Sequence, residues 1–345
     1  MMGGSERRVR TIADLAQLAG VSPGTVSRAL AGKALVNEET RRRIQSLADE
    51  HGFRPNQMAS RLRTRRTGVI GIVVPLGHER RQHLSDPFFM TMLGYLADAL
   101  TESGYDVMLS RIIPDAEDWL DRVVDSGMVD GVLLIGQSNQ YDAIERVARR
   151  YRPLVAWGVT LPDQVHVAVG TDNRAGGRLV GERLIARGCR RIAFLGDASA
   201  PEIRQRHDGV AEAIAAAGVD AQLIQLATHL ASDLMEREIA AHIDALLEQG
   251  GGTMPIDGIA AASDMIAMTA VRVLTDRAIT VPDALPVIGY DDLPLSAQAV
   301  PRITTIRQDV ATGAQAMVDA LFARIAGQEA GSVILTPELI ARDSA

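Results

Sequence analysis

The chain has 345 residues, 47% of them hydrophobic, one cysteine (Cys189) and a formal net charge of −7. That is enough material for two or three packed domains, and it excludes a disordered or disulfide-built protein. No run of 18 apolar residues occurs, which excludes an ordinary membrane-spanning helix. Asp14 interrupts the stretch where a secretory signal would need its apolar core, so the expected compartment is the reducing cytoplasm.

The charge is unevenly spread. Residues 1–67 hold 13 Lys or Arg against 6 Asp or Glu, a charge of +7, and the remainder carries −14. A small basic head on a large acidic body suits a partner rich in phosphate.

In chain order, "TIADLAQLAG" (11–20) places Ile12, Leu15, Ala16 and Ala19 at helical spacing, with Thr11 as cap, Asp14 three residues on and Gly20 as stop. "VSPGTVSRAL" (21–30) predicts a second helix: Ser22 caps it, Pro23 fits the first position, and Val26, Ala29 and Leu30 form its apolar stripe. Its other face carries Gly24, Thr25, Ser27 and Arg28, small or hydrogen-bonding residues that suit close approach to a groove. "VNEETRRRIQSLADEHG" (36–52) predicts a third helix, capped by Asn37 and stopped by Gly52, with Ile44 and Leu47 inward. Helix, glycine turn and helix make helix-turn-helix geometry. "FRPNQMASRLRTRRTG" (53–68) follows, a weak amphipathic segment too short to hold as an isolated helix and rich in arginine. DNA phosphate is a suitable partner to order it.

From Gly68 onward, nine short apolar runs alternate with amphipathic segments: "VIGIVV", "YDVMLS", "GVLLIG", "LVAWG", "HVAVG", "RIAFLG", "AQLIQLA", "GIAAAS" and "LPVIGY". This pattern predicts βα units and parallel sheets, and nine strands exceed one comfortable sheet, so two Rossmann-like lobes are expected.

"TIADLAQLAGVSPGTVSRAL", followed by "FRPNQMASRLRTRRTGVIGIVVP", resembles the head and hinge of the LacI/GalR family of bacterial transcription regulators, without a gap through the first 75 residues. The resemblance implies an α/β protein with a three-helix helix-turn-helix head (1–54), a hinge helix (55–67), and a two-lobed periplasmic-binding-protein-like effector domain (68–345). In that fold the chain crosses between lobes three times. Lobe 1 is expected to hold 69–169 and 302–330, and lobe 2 to hold 170–301 and 331–345.

The same resemblance implies that the second helix enters the major groove. Pro23, Gly24 and Arg28 would face base edges, while Thr11, Ser22, Thr25 and Ser27 would lie on or near phosphates. Asn56 and Ala59 would follow the minor groove, with Leu62 as the wedge that opens a base step. Pro23 and Gly24 offer no side-chain hydrogen bond, and Ala31 stands where many relatives have asparagine. Base readout therefore leans on Arg28 and on DNA deformability.

Open parallel sheets bind ligands at the carboxyl ends of their strands. The candidates there in lobe 1 are Asp86, Phe88, Phe89, Gln137 and Trp157. Those in lobe 2 are Asp172, Arg206, Ser263, Asp264 and Asp291. Carboxylates and an arginine fork suit the hydroxyls of a sugar, and an aromatic face suits its C–H side. Arg206 and Asp291 match positions that contact ligand in the family. Asp172 and Asp264 equally suit helix caps, and the three aromatics equally suit core. Ser263 stands where sugar-binding relatives often have asparagine, which leaves a nucleobase as the alternative effector.

No GxxxxGK[ST], strand-led GxGxxG or GxSxG element is present, and the seven histidines lack metal-ligand spacing. An enzyme is therefore not expected, nor a cofactor or metal. A transport binding protein would share the two-lobed clamp but needs export and has no use for a basic head. The expectation is a ligand-responsive repressor, homodimeric on a near-palindromic DNA operator, with no membrane partner. Leu62→Ala should weaken binding to an operator duplex while sparing a scrambled one, measured by parallel titrations; equal loss on both would remove the wedge role.

Overall fold

The computed structural model describes residues 9, 11–30, 36–53, 66–77 and 80–345. Asn56, Ala59 and Leu62 of the expected hinge lie outside the described residues. The chain divides into two compact units, 1–67 and 68–345.

The first unit contains three helices. Helix α1 (Ile12–Ala19) starts in a capping box, in which Thr11 Oγ1 accepts from the Asp14 amide at 3.1 Å and the Thr11 amide donates to the Asp14 carboxylate at 3.0 Å. It stops at Gly20, whose φ of 64° is the left-handed end that glycine takes without strain. Helix α2 (Pro23–Leu30) has Ser22 Oγ accepting from the Thr25 amide, and α3 (Glu38–Glu50) has Asn37 accepting from the Thr40 amide. Leu15, Val26, Ala29 and Ile44, all fully buried, make their shared core.

The second unit holds two parallel sheets. In the first, strands β1 (Val69–Pro75), β2 (Asp106–Ile112), β3 (Gly131–Ile135), β4 (Leu154–Trp157) and β5 (Val167–Thr171) stand in the order 5-4-3-1-2. Helices α4 (Pro87–Glu102), α5 (Trp119–Val124) and α6 (Tyr141–Ala148) connect them. β1 pairs in register with β2 and β3, and its buried run Ile70 to Val74 feeds cores on both faces of the sheet. That two-faced burial is why β1 and β3 read as unbroken apolar runs.

The second sheet has β6 (Arg191–Leu195), β7 (Gln222–Leu226), β8 (Gly258–Ala261) and β9 (Val287–Ile288) in the order 7-6-8-9. It packs with α7 (Asn173–Ala186), α8 (Pro201–Ala216), α9 (Ser232–Gln249) and α10 (Asp264–Thr275) around one core.

Three segments join the lobes. After β5 the chain enters lobe 2 and returns through β10 (Thr305–Arg307) into α11 (Val310–Ile325), which packs on the first sheet. The expected lobe 2 segment from 331 departs from the sequence reading. Residues 333–335 form β11, which extends the first sheet by pairing parallel to β5, because Val333 and Leu335 cover the same core as α11. Only then does β12 (Glu338–Ile340) pair antiparallel to β10, after which Ser344 and Ala345 bond into lobe 2. The crossings are laced together. Thr171 Oγ1 donates to the Gln308 carbonyl at 3.1 Å, and the Asp172 amide donates to the Leu335 carbonyl at 3.0 Å. Asp292 pairs with Arg307 and Arg342, and Arg307 also with Glu338.

Helices α7 and α8 approach unusually closely. A Cβ on Gly177 would collide with the Arg206 carbonyl oxygen, one on Gly209 with the Arg174 carbonyl oxygen, and one on Gly181 would meet Ala213 Cβ at 2.6 Å. Gly177 of "GTDNRAGG" and Gly181 of "VGERLIARG" thus make a helix contact with α8. Gly177→Ala is expected to cost about 1–3 kcal/mol or more through overpacking, whereas Gly331→Ala, with open space around it, should stay within about 0.5 kcal/mol. Urea unfolding of the full chain measures both, and equal costs would remove the close-packing account.

Candidate DNA-reading surface and effector cavity

On the head, α2 turns Val26 and Ala29 inward and leaves Ser22, Pro23, Gly24 and Arg28 exposed, with Thr25 and Ser27 half-buried. The Ser22 and Thr25 hydroxyls lie 2.9 Å apart at the start of the helix, a polar end with the positive pole of the helix behind it. Arg28 folds back so that Nε donates to the Gly24 carbonyl at 3.0 Å, and its Nη2 would sit 3.6 Å from a Cβ on Gly24. The guanidinium thus lies along the helix, within ordinary contact distance of position 24. Its remaining N–H donors are, among the described residues of α2, the ones that can form a bidentate pair. Thr11 is exposed beside α1, its oxygen committed to the capping box.

In the body, a cavity of about 110 Å³ opens where the two lobes and a crossing segment meet. Lobe 1 contributes Asp86, Phe88 and Phe89 from the start of α4, and Trp157 from the end of β4. Asp86 caps α4 by accepting from the Phe88 amide at 2.9 Å, and Gln82 donates to its other oxygen at 2.9 Å. The Phe88 ring stands 6.1 Å from that of Phe89 and 6.3 Å from that of Trp157. Gly313 on α11 makes room for the indole, since a Cβ there would strike it.

Lobe 2 contributes Arg206 and Ser263, and the crossing segments Asp291 and Gln308. Arg206 is 9% exposed and held on three sides. Its Nε donates to Asn173 Oδ1 at 2.8 Å, Nη1 donates to the Ala262 carbonyl at 2.6 Å, and the guanidinium stacks 3.7 Å over the Tyr290 ring. Asp291 lies 3.6 Å from Nη1 and accepts from Gln308 Nε2 at 2.6 Å. Its φ of 115° and that of 55° at Asp292 put two consecutive non-glycine residues in the left-handed half of backbone space. Ser263 caps α10 by accepting from the Ile266 amide at 3.2 Å.

The electrostatics are unbalanced toward acid. Burial pushes the Asp291 carboxyl above the ordinary carboxylate range, and the Arg206 guanidinium opposes it. Burial likewise raises Asp86, against the hydrogen bonds from Gln82, Phe88 and Phe89. Partly apolar walls with a few fixed polar groups bind a compact polar molecule by orienting it.

Three expected ligand residues are not brought to the cavity. Gln137 turns into lobe 1, donating to the Val159 carbonyl at 2.8 Å and lying 3.1 Å from His166 Nε2, so that its neighbours Gly136 and Ser138 line the space instead. Asp172 caps α7 by accepting from the Ala175 amide at 2.8 Å. Asp264 is fully buried behind the crossing, bonded to the Leu293 amide and the Thr305 hydroxyl, and burial raises its pKa. Sequence reasoning missed Gln82, Glu202 and Gln308. Glu202 stands four residues before Arg206, one helical turn away on the same face, which is a readable signal. Gln308 arrives through the crossing and had none.

Comparison with known proteins agrees with this architecture. Residues 11–56 match the family "Bacterial regulatory proteins, lacI family", and residues 182–345 match "Periplasmic binding protein-like domain". The HTH-type transcriptional regulator CelR of Thermobifida fusca is 32% identical, covering 98% of this chain and 99% of the relative. The sucrose operon repressor of Streptococcus mutans is 28% identical over 95% and 97%. Among solved structures, a CelR–cellobiose complex superposes with a TM-score of 0.67 at 28% identity, covering 98% of this chain and all of the other. A Lac repressor dimer bound to operator and an anti-inducer superposes at 0.81 and 24% identity, covering 97% and 98%. The chain belongs to the lacI family of bacterial regulatory proteins, whose members are DNA-binding transcriptional regulators and not enzymes.

Proposed function

We propose that the protein is a homodimeric repressor acting in the cytoplasm, which holds a near-palindromic operator through its helix-turn-helix heads and releases it when a sugar occupies the cavity. The observation that carries this reading is the convergence of Arg206, Asp291 and Asp86 with Phe88 and Trp157 on one cavity bounded by both lobes, in a chain that also carries a reading head. The carboxylates and guanidinium match paired hydroxyls, and the aromatic rings match the C–H face of a pyranose or furanose ring.

Dimerisation is supported by the exposed apolar side chains of lobe 1. Met90 and Tyr95 on α4 and Leu109 on β2 stand on elements that pack against one another. Relatives named for sucrose and ribose operons, and the CelR–cellobiose complex, make those sugars the first probes. Ligand binding favours whichever lobe arrangement it fits better, and the operator equilibrium shifts by that difference in affinity.

The deciding experiment titrates a duplex, selected from a randomised pool, with the full chain at one fixed salt concentration, with and without cellobiose, sucrose, ribose and purine bases. Release by a sugar is the expected outcome, and the response of the operator complex to that sugar should disappear in Arg206→Ala. Binding gained only with a purine would reverse the switch and replace the effector class. Independently, Arg28→Ala should weaken the selected duplex roughly tenfold to a hundredfold while changing a scrambled duplex far less, as the loss of a bidentate base contact predicts. Equal weakening on both would make Arg28 a phosphate contact.

A further inference from the structure

Gln137, turned away from the cavity, ends a row of buried side chains that runs through lobe 1 to its surface. Its Nε2 donates to the Val159 carbonyl at 2.8 Å and faces His166 Nε2 at 3.1 Å, and His166 Nδ1 lies 2.6 Å from Glu145 Oε1. All three side chains are buried. Glu145, on α6, also accepts from the Val165 amide at 2.8 Å and the His166 amide at 3.0 Å. It forms part of the wall of a surface cleft of about 360 Å³ between α6 and the loop joining β4 to β5.

These bonds assign the protons in the row. Burial works against the Glu145 charge, but the His166 amide, the imidazole and the Val165 amide together hold its carboxyl below the ordinary range. An ionised carboxylate only accepts, so Nδ1 carries the ring proton, and Nε2 of the neutral ring is a lone pair. Gln137 meets that lone pair and the Val159 carbonyl at once only with its NH2 group, which has two donors. The amide orientation and the neutral ring therefore require one another.

The lobe 1 wall of the cavity rests on this amide. Gly136 and Trp157 both line the cavity, and the Gly136 amide donates to the Trp157 carbonyl at 3.1 Å. A Cβ on Gly158 would lie 2.8 Å from Gln137 Cγ, so the glutamine side chain lies directly on the backbone that presents the indole. A second proton on the ring would set N–H against N–H. Turning the amide to offer its oxygen would relieve that clash and leave the Val159 carbonyl facing an acceptor.

We propose that Glu145, His166 and Gln137 form a positioning relay for the effector cavity, in which the neutral imidazole fixes Gln137 and through it the Trp157–Val159 backbone, and a proton taken up by His166 undoes that hold. The relay acts on the effector cavity proposed above and adds to it a sensitivity to acid. Burial disfavours the imidazolium and the Glu145 carboxylate partly offsets this, so the His166 pKa lies below its ordinary value. Tyr141 meets the ring in a T-shaped contact at 5.9 Å, Arg149 lies 3.9 Å from Glu145 Oε2, and Asp142 and Asp163 stand at the cleft. The unfolded chain takes up the proton first, so stability linked to His166 is present above the ordinary histidine pKa and is lost as pH falls below it.

Two measurements on the full chain test the proposal. First, imidazole and amide 15N signals of the ligand-free protein are followed from about pH 8 to about pH 5, His166 being identified by its contact with the Tyr141 ring. The ring should carry its proton on Nδ1 at neutral pH and titrate below the ordinary histidine range, and the amide signals of Gly136 and Gly158 should move with it. A ring charged at neutral pH, a neutral ring protonated on Nε2, a ring that stays neutral throughout, or amides that stay still would each overturn the relay.

Second, cellobiose, sucrose and ribose are titrated against wild type and Gln137→Leu at about pH 7.5 and about pH 5.5. The carboxyls of the cavity titrate in both proteins, so the share due to His166 is the difference between the two profiles. On acidification wild type should lose roughly threefold to tenfold more affinity for the bound sugar than Gln137→Leu does, and the variant should already bind more weakly at the higher pH. Parallel profiles would overturn the relay. If no sugar binds wild type, the effector reading fails, and the ligand-free titration alone decides whether the relay exists.

Discussion

The effector cavity depends on how closely α7 and α8 approach. Glycines at 177, 181 and 209 leave no Cβ between the two backbones, and Gly176 beside them clears space for the buried Tyr290 ring. That spacing brings Asn173 on α7 within hydrogen-bond range of Arg206 on α8, and puts Tyr290 under the guanidinium. Any larger residue would push the helices apart and release the arginine from at least one of its three restraints. A bidentate cation in such a cavity is useful only if its plane is fixed before the ligand arrives, because ordering it later would consume the affinity it provides.

The acids around that arginine tell the same story from the opposite direction. Asp264 and Asp291 are buried in the region where crossing segments meet and each is raised by desolvation, with Asp264 raising Asp291 further and Asp292 raising Asp264. Their hydrogen bonds are specific: Thr305 and the Leu293 amide for one, Gln308 for the other. Such groups add little to stability, since burial of charge offsets most of what pairing returns. They do fix which residues face the cavity. Asp264 anchors the loop after β9, and that anchoring holds Asp291, in its left-handed backbone, toward Arg206.

Much of this was legible in the sequence because it is local. Thr11, Ser22 and Asn37 cap the helices they were expected to cap, and Gly20 ends α1. All nine apolar runs form strands, and in the inner strands β1, β3, β4, β5, β6 and β8 burial on both sheet faces leaves a pattern that one chain segment carries alone. What was not legible depends on segments far apart in the chain. Gln137 was placed correctly at a strand end, but its direction was decided by His166, 29 residues later. Gln308 meets Asp291 only because a crossing returns, and β11 joins the first sheet because the tail comes back along β5. Asp172 and Asp264 were read by position, where ligand contact and helix cap share one pattern, and Asp264 proves to be neither, since it is buried behind the cavity and the cap of α10 is its neighbour Ser263. Asp172 is a cap and does not face the cavity, whereas Ser263 both caps α10 and faces it.

The lacing of the three crossings has a mechanical meaning. Thr171 is tied to the segment at Gln308 and Asp172 to that at Leu335, β10 pairs with β12, and Asp292 holds two arginines from both returning segments. A strap bonded within itself in this way resists sliding and stretching, and leaves bending as its soft direction. The lobes are then a lever with one fulcrum, and whatever fills the cavity is converted into an angle. Distinct molecules would differ to the rest of the protein in how far they hold that angle open, not in their chemistry.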